Sequence, residues 1–265
     1  MAEVKKDRNV GAVAGLRVVV TAGASGIGRA ITDLLLASGA RVAICDVSRD
    51  FLAEFHTAHP DATALEADVA VERDVDRLFE RAVQDLGGLD ALVNNAGVAG
   101  PTGGVDEIDP QEWRRCIDVN LTGQFLCARR AVPLIRAAKS GAIVNMSSAA
   151  GRLGYAYRTP YSAAKWGVIG FTQSLARELG PDNIRVNAIL PGIVQGPRID
   201  RVIAARAEQL GLSHEAMERQ YLEKVSMRRM VTAEDVAAMV QFLLSPAGAN
   251  ISGQSIGVCG NVETL

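Results

Sequence analysis

One stretch near the start of the chain constrains the fold most. Leu16 to Thr21 is rich in β-branched residues, the pattern of a strand buried on both faces. It runs directly into Thr21-Ala22-Gly23-Ala24-Ser25-Gly26-Ile27-Gly28. Glycines there let backbone approach a ligand closely, and the helix that follows offers unpaired N–H groups to a phosphate. That helix reaches about Ser38, where Gly39 stops it, and Val42 to Asp46 makes a second short strand. Strand, glycine turn, helix and strand together read as a β-α-β unit of a covered parallel sheet.

The alternation continues to the end. Ala62 to Ala67 reads as a third strand, followed by a helix with Val75, Leu78, Phe79, Ala82, Val83 and Leu86 at helical spacing. Leu89 to Val93 is a fourth strand, ending in Asn94-Asn95-Ala96-Gly97. Asp109-Pro110-Gln111-Glu112 resembles a capping box with Pro at the first helical position. It opens a long helix towards Ala138, with bends expected at Gly123 and Pro133. Gly141 to Ser147 is a fifth strand. Thr159 suits an N-cap and Pro160 the first turn of a helix that Gly180-Pro181 ends. Ile184 to Leu190, a capped helix over 232–244 and a strand over 255–258 complete the pattern. The expectation is one α/β domain over 15–265, a doubly wound parallel sheet of Rossmann type, behind a flexible tail at 1–14. The looser stretch 191–230 is expected to form a lid over the strand ends.

Composition excludes several functions. A net charge of −2 in 265 residues gives no electrostatic case for nucleic acid or an anionic membrane. No apolar run approaches the roughly 20 residues of a spanning helix, and no leader is visible. The four cysteines, Cys45, Cys116, Cys127 and Cys259, form no C-x-x-C pair and suit a reducing, cytoplasmic setting. His56, His59 and His214 fit no metal-ligand spacing, so no metal is expected.

Polar residues instead gather where strands end, which is where open α/β sheets bind ligands. Asp46 ends the second strand 18 residues after Gly28, close to the spacing of a carboxylate that bonds an adenosine ribose. No Lys or Arg stands at Ser25 or Val47 to offset a 2′-phosphate, which favours NAD over NADP. Asp68, Asn94 to Gly97, Ser147-Ser148 and Pro191-Gly192 follow the other strands. Tyr161 and Lys165, four apart, share one helix face, and an ammonium beside a phenol favours its ionised form.

In combination these motifs resemble the short-chain dehydrogenase/reductase family, in its compact branch, over about Leu16 to Val258. The resemblance implies that Tyr161 is the general acid/base. Lys165 would assist it and bond the nicotinamide ribose, Ser148 rather than Ser147 would orient the substrate oxygen, and Asn120 would hold a proton-relay water. Ala22, Gly23, Ser25, Gly26, Ile27 and Gly28 would meet the pyrophosphate region, and Asp68 and Val69 the adenine. Asn94, Ala96 and Gly97 would support it and the sheet, and Pro191, Gly192 and Val194 would complete the nicotinamide side. It further implies a homotetramer, with a dimer as the alternative.

Three positions depart from the family pattern: Ala22 where a glycine is usual, Gly196 where a threonine is usual, and Cys259 where an aspartate is frequent. The resulting expectation is an NAD-dependent oxidoreductase acting on a secondary alcohol or its ketone. Its rivals are an NADPH-dependent 3-oxoacyl-type ketoreductase and a non-catalytic NAD sensor. Tyr155 and Tyr157 lie between Ser148 and Tyr161 with Arg152 and Arg158 flanking them, and Arg198, Arg201 and Arg206 in the lid could meet a carboxylate or sulfonate. A solvated helical face is the plainer reading of those three.

Overall fold

The computed structural model describes residues 12–262. Its strands are β1 (Arg17–Thr21), β2 (Arg41–Asp46), β3 (Thr63–Glu66), β4 (Ala91–Asn94), β5 (Gly141–Met146), β6 (Ile184–Pro191) and β7 (Ser255–Val258). The helices are α1 (Gly26–Ala37), α2 (Arg49–Ala58), α3 (Glu72–Leu86), α4 (Pro110–Ile117) and α5 (Gly123–Ala137). They continue with α6 (Thr159–Leu179), α7 (Pro197–Leu210), α8 (His214–Glu223) and α9 (Ala233–Leu244). All seven strands pair in parallel in the order β3-β2-β1-β4-β5-β6-β7. The order reverses between β1 and β4, and a crevice opens at such a point beyond the carboxyl ends of the strands.

Successive strand residues feed opposite layers, as the pleat requires. Val18 and Val20 pack with Ile31, Leu35, Val236 and Val240 on the α1/α9 face. Val19 and Leu92 pack with Leu78, Phe79, Cys127 and Leu175 on the α3/α5/α6 face. Both faces are covered, which explains why the strands read as continuous apolar runs rather than alternating ones. The stretch 191–230, expected to form a lid, holds α7 and α8, which share a small core of their own, Ile203, Ala207 and Met217.

The structure corrects four expectations. A helix unforeseen in the sequence, α2, lies between β2 and β3; Ser48 caps it by accepting from the Phe51 N–H, and Phe55 is its one buried residue. Thr159 is not an N-cap, because the helix already includes it and Arg158 takes the cap position without a side-chain bond. The long helix over 110–138 departs from α geometry at neither expected bend. A π segment over Asp118–Thr122 interrupts it instead, and Pro133 is accommodated inside α5. Finally, Val13 is fully buried against the α1 face, so the ordered domain reaches further back than residue 15. The rest of the expected tail, residues 1–11, lies outside the described residues. Asp109 caps α4 by accepting from the Gln111 and Glu112 N–H groups, without the reciprocal bond of the expected capping box, whereas Thr232 with Asp235 forms a full capping box on α9. Among the described residues no helix is long and apolar enough to cross a membrane.

Candidate active site

The glycine turn is built by exclusion of side chains. A Cβ on Gly23 would sit 2.6 Å from Ile44, and one on Gly28 would collide with the Ala22 carbonyl oxygen. Gly26 is glycine for a different reason, its φ of +53°. The turn is lashed to β4. Thr21 Oγ1 accepts from the Asn95 and Ala96 N–H groups at 3.0 and 2.9 Å, and Asn95 Nδ2 donates to the Thr21 and Ala22 carbonyls. Ser25 precedes α1 without a side-chain cap, and no acidic residue stands in the first turn. The N–H groups there are left to an outside anion.

At the end of β2, Asp46 is 6% exposed. Its Oδ1 accepts from the Ser48 N–H at 3.1 Å, while Oδ2 is buried without a partner. A buried carboxylate oxygen left unbonded is costly, and a ribose hydroxyl is the kind of donor that would satisfy it. Asp68 is already occupied: its carboxylate accepts from the Ala70 N–H and pairs with Arg115 at 2.6 Å. Val69 is buried against Gly123, where a Cβ would lie 2.8 Å from it. The Asn94 side chain turns into the core rather than the crevice, donating to Asn145 Oδ1 and the Gln124 carbonyl. Asn145 passes the chain on to Thr172, so Asn94 ties sheet to helices, while its Oδ1 is buried without a partner.

The second cluster sits one turn into α6. Lys165 is 3% exposed, and its Nζ donates to the Met146 carbonyl at 2.9 Å and lies 5.6 Å from the centroid of the Tyr161 ring. Desolvation, and secondarily the charge of Arg198, push this ammonium down to about 7. Ser147 and Ser148 separate cleanly. Ser147 is buried with its hydroxyl donated to the Lys165 carbonyl, whereas Ser148 is half-buried at the start of a short turn, accepting from the Ala150 N–H. Ser162 Oγ donates to the Ala150 carbonyl, fastening that turn to the Tyr161 helix.

Asn120 lies in the π segment, where its Nδ2 donates to the Val98 and Cys116 carbonyls and its Oδ1 is buried without a partner. Gly97 fills the space between this oxygen and the ammonium. A Cβ there would be 2.9 Å from Asn120 Oδ1 and 3.4 Å from Lys165 Nζ. Gly192 lies as close to Cys259, so that departure is a packing contact. Val194 joins Val231 by a bridge that uses the Ile193 carbonyl and the Gln195 N–H, so its own N–H and carbonyl take no part in it.

The structure brings Asn120, Ser148, Tyr161 and Lys165 into one neighbourhood and turns the Asn94 side chain into the core; Asn95, which sequence reasoning did not single out, holds the glycine turn. The signal was present in the Asn94-Asn95 doublet, though only the strand's pleat decides which of the two faces inward.

Comparisons with known proteins agree with this architecture. The family described as Enoyl-(Acyl carrier protein) reductase matches residues 21–261. The cis-4-hydroxycyclohexanecarboxylate dehydrogenase of Sinomonas cyclohexanicum is 38% identical over 251 residues, spanning 93% of this chain and 96% of that protein. The 3-oxoacyl-[acyl-carrier-protein] reductase of Synechocystis sp. is 34% identical over 250 residues, spanning 92% and 95%. An NAD+-bound xylitol dehydrogenase structure has a TM-score of 0.89 at 27% identity, covering 94% of this chain and all of that one. With the glycine turn after β1, and with Ser148 and the Tyr161–Lys165 pair after β5, likeness over nearly the whole length means that the chain belongs to the short-chain dehydrogenase/reductase family.

Proposed function

We propose that the protein is an NAD-dependent oxidoreductase that interconverts a secondary alcohol and its ketone, with Tyr161 as general acid/base. Lys165 carries this reading: its ammonium is buried, bonded to the Met146 carbonyl and 5.6 Å from the Tyr161 ring. The residues present suit a dinucleotide. Gly23, Ser25, Gly26, Ile27 and Gly28 would hold its pyrophosphate, the unpartnered Oδ2 of Asp46 its adenosine ribose, and the backbone of Val194 its carboxamide. When bound, the nicotinamide supplies or receives the hydride.

The chain does the proton chemistry. Ser148 donates a hydrogen bond to the substrate oxygen, which orients the carbinol carbon. Tyr161 protonates that oxygen in the direction of reduction and takes the proton back in oxidation. Lys165 stabilises the phenolate left behind, and Asn120 Oδ1, buried and unpartnered, accepts from a water that links Lys165 to solvent. Asp46 disfavours a 2′-phosphate by like charge, which supports NAD over NADP. The exposed Trp113, Phe125 and Trp166 on α4, α5 and α6 support assembly as a homotetramer.

The test follows NADH absorbance with a panel of secondary alcohols, NAD and NADP in parallel. Tyr161→Phe is expected to lower kcat/KM by about 10³-fold with NADH affinity unchanged. Retained turnover in that variant would remove Tyr161 from the chemistry. Preference for NADP would overturn the Asp46 assignment and favour the 3-oxoacyl-type reductase named by one relative.

A further inference from the structure

Beside the Tyr161 ring stands a cation that has no counter-charge among the described residues. Arg158 stands just before α6, its guanidinium carbon 5.3 Å from the Tyr161 ring centroid and 5.4 Å from that of Tyr155. Nη2 donates to the Ala99 carbonyl at 2.6 Å, which fixes the group against the loop after β4. Nε is buried without a partner, and Nη1 makes no bond among the described residues.

Nine other arginines among the described residues each pair with a carboxylate. Among the described residues no carboxylate lies within ion-pair distance of Arg158 or Arg198. Both sit close enough for their charges to act on the Cys116 thiol, and Arg198 also acts on Lys165. A half-buried guanidinium near two phenol rings and with no carboxylate partner is one that a bound anion would satisfy. Its planar fork fits a carboxylate in two parallel hydrogen bonds.

We infer that the substrate is an anion, a hydroxy acid or the matching keto acid, whose carboxylate is held by Arg158 while its carbinol oxygen meets Tyr161. This rests on the dehydrogenase reading and narrows it. Arg198, at the start of α7, adds to the positive field at Lys165 and Cys116.

Binding decides the matter without turnover. The full-length protein with saturating NADH, which forms no product with an alcohol, is titrated calorimetrically with two acid–amide pairs. These are cis-4-hydroxycyclohexanecarboxylate and 3-hydroxybutyrate, each against its primary amide. At least one acid is expected to bind about 30-fold or more tightly than its amide. Arg158→Gln brings that acid down to its amide's affinity, and leaves amide and NADH binding within about threefold. Arg158→Lys, which keeps the charge but loses the fork, restores part of the preference.

Equal binding of acid and amide in both pairs would overturn the inference. So would an Arg158→Gln protein that loses amide and NADH binding along with the acid, since that describes a latch for the Ala99 loop rather than an anion site. Arg198→Gln alone erasing the preference would move the site away from Arg158. Failure of every alcohol to yield NADH counts against the dehydrogenase reading, and the acid–amide ratio is read independently of it.

Discussion

The glycine turn and the expected lid, residues 191–230, are built on different principles. In the turn, space is the constraint: Gly23 faces Ile44, Gly28 faces the Ala22 carbonyl, and Thr21 and Asn95 bolt the backbone to β4. The lid has its own small core around Ile203 and Met217, and leaves Leu210, Leu212 and Met227 exposed. It is joined to the body by the bridges Val194–Val231 and Val225–Val262. Where it begins, Gly196 has a φ of +136° yet nothing within 4 Å of a Cβ position. One region is fixed by what would collide, the other by a backbone angle at its hinge. A family can keep the first and vary the second, which is how one scaffold serves different substrates.

Two alanine substitutions break or sharpen that contrast. Gly28→Ala must displace the Ala22 carbonyl, so a loss of about 3 kcal/mol or more is expected, with the melting temperature down by roughly 6–10 °C. NADH affinity should fall with it. Gly196→Ala meets no atom and is charged only for the backbone angle, about 1–2 kcal/mol, and NADH affinity should hold. Equal losses by denaturant unfolding would mean the turn is no more tightly packed than the hinge.

The same contrast explains what was legible beforehand. Strand ends could be read because buried parallel strands are continuous apolar runs, and Asp46 could be read because its spacing from Gly28 is set by one helix and one strand. The helix α2 could not, since a single buried residue, Phe55, makes no apolar stripe. The site's long-range bonds were also hidden. Arg158 reaches the Ala99 carbonyl 59 residues away, and the pairing of Asp68 with Arg115 spans 47. Gly196 looked like a lost threonine. Its positive φ shows a backbone that a threonine would strain, so the hinge has been rebuilt around the change.

The two regions act jointly on Lys165, buried by the core and repelled by Arg198 from the lid. The folded protein releases this proton near 7, whereas an unfolded lysine keeps it to about 10.4. Between those values the unfolded state binds more protons, so stability rises with pH. The contribution is lost below about 7, where both states are protonated. Urea unfolding of the cofactor-free protein should show a gain of roughly 2 kcal/mol from pH 7 to 9 that Lys165→Met lacks. Arg198→Gln should shift the rise to higher pH. An identical slope in the Lys165→Met protein would assign the effect to other groups.

The smallest expected effect tests the turn's own departure. Ala22 occupies a φ of +49°, the left-handed region where an L-residue is disfavoured by about 1–2 kcal/mol. Ala22→Gly removes that strain. It also raises the entropy of the unfolded chain by the equivalent of about 0.4–1 kcal/mol. The methyl it deletes packs against the α3/α5 core, a burial worth about 0.8 kcal/mol when complete. The three terms nearly cancel, and a change under about 0.5 kcal/mol in either direction is expected by urea unfolding. Near-neutrality would account for an alanine at this position, because the methyl's packing compensates the angle it forces. A gain well above that would mean the methyl contributes little and the turn is held in strain by Asn95. A loss of similar size would mean that the turn, like the rest of its region, is governed by contact rather than by backbone angle.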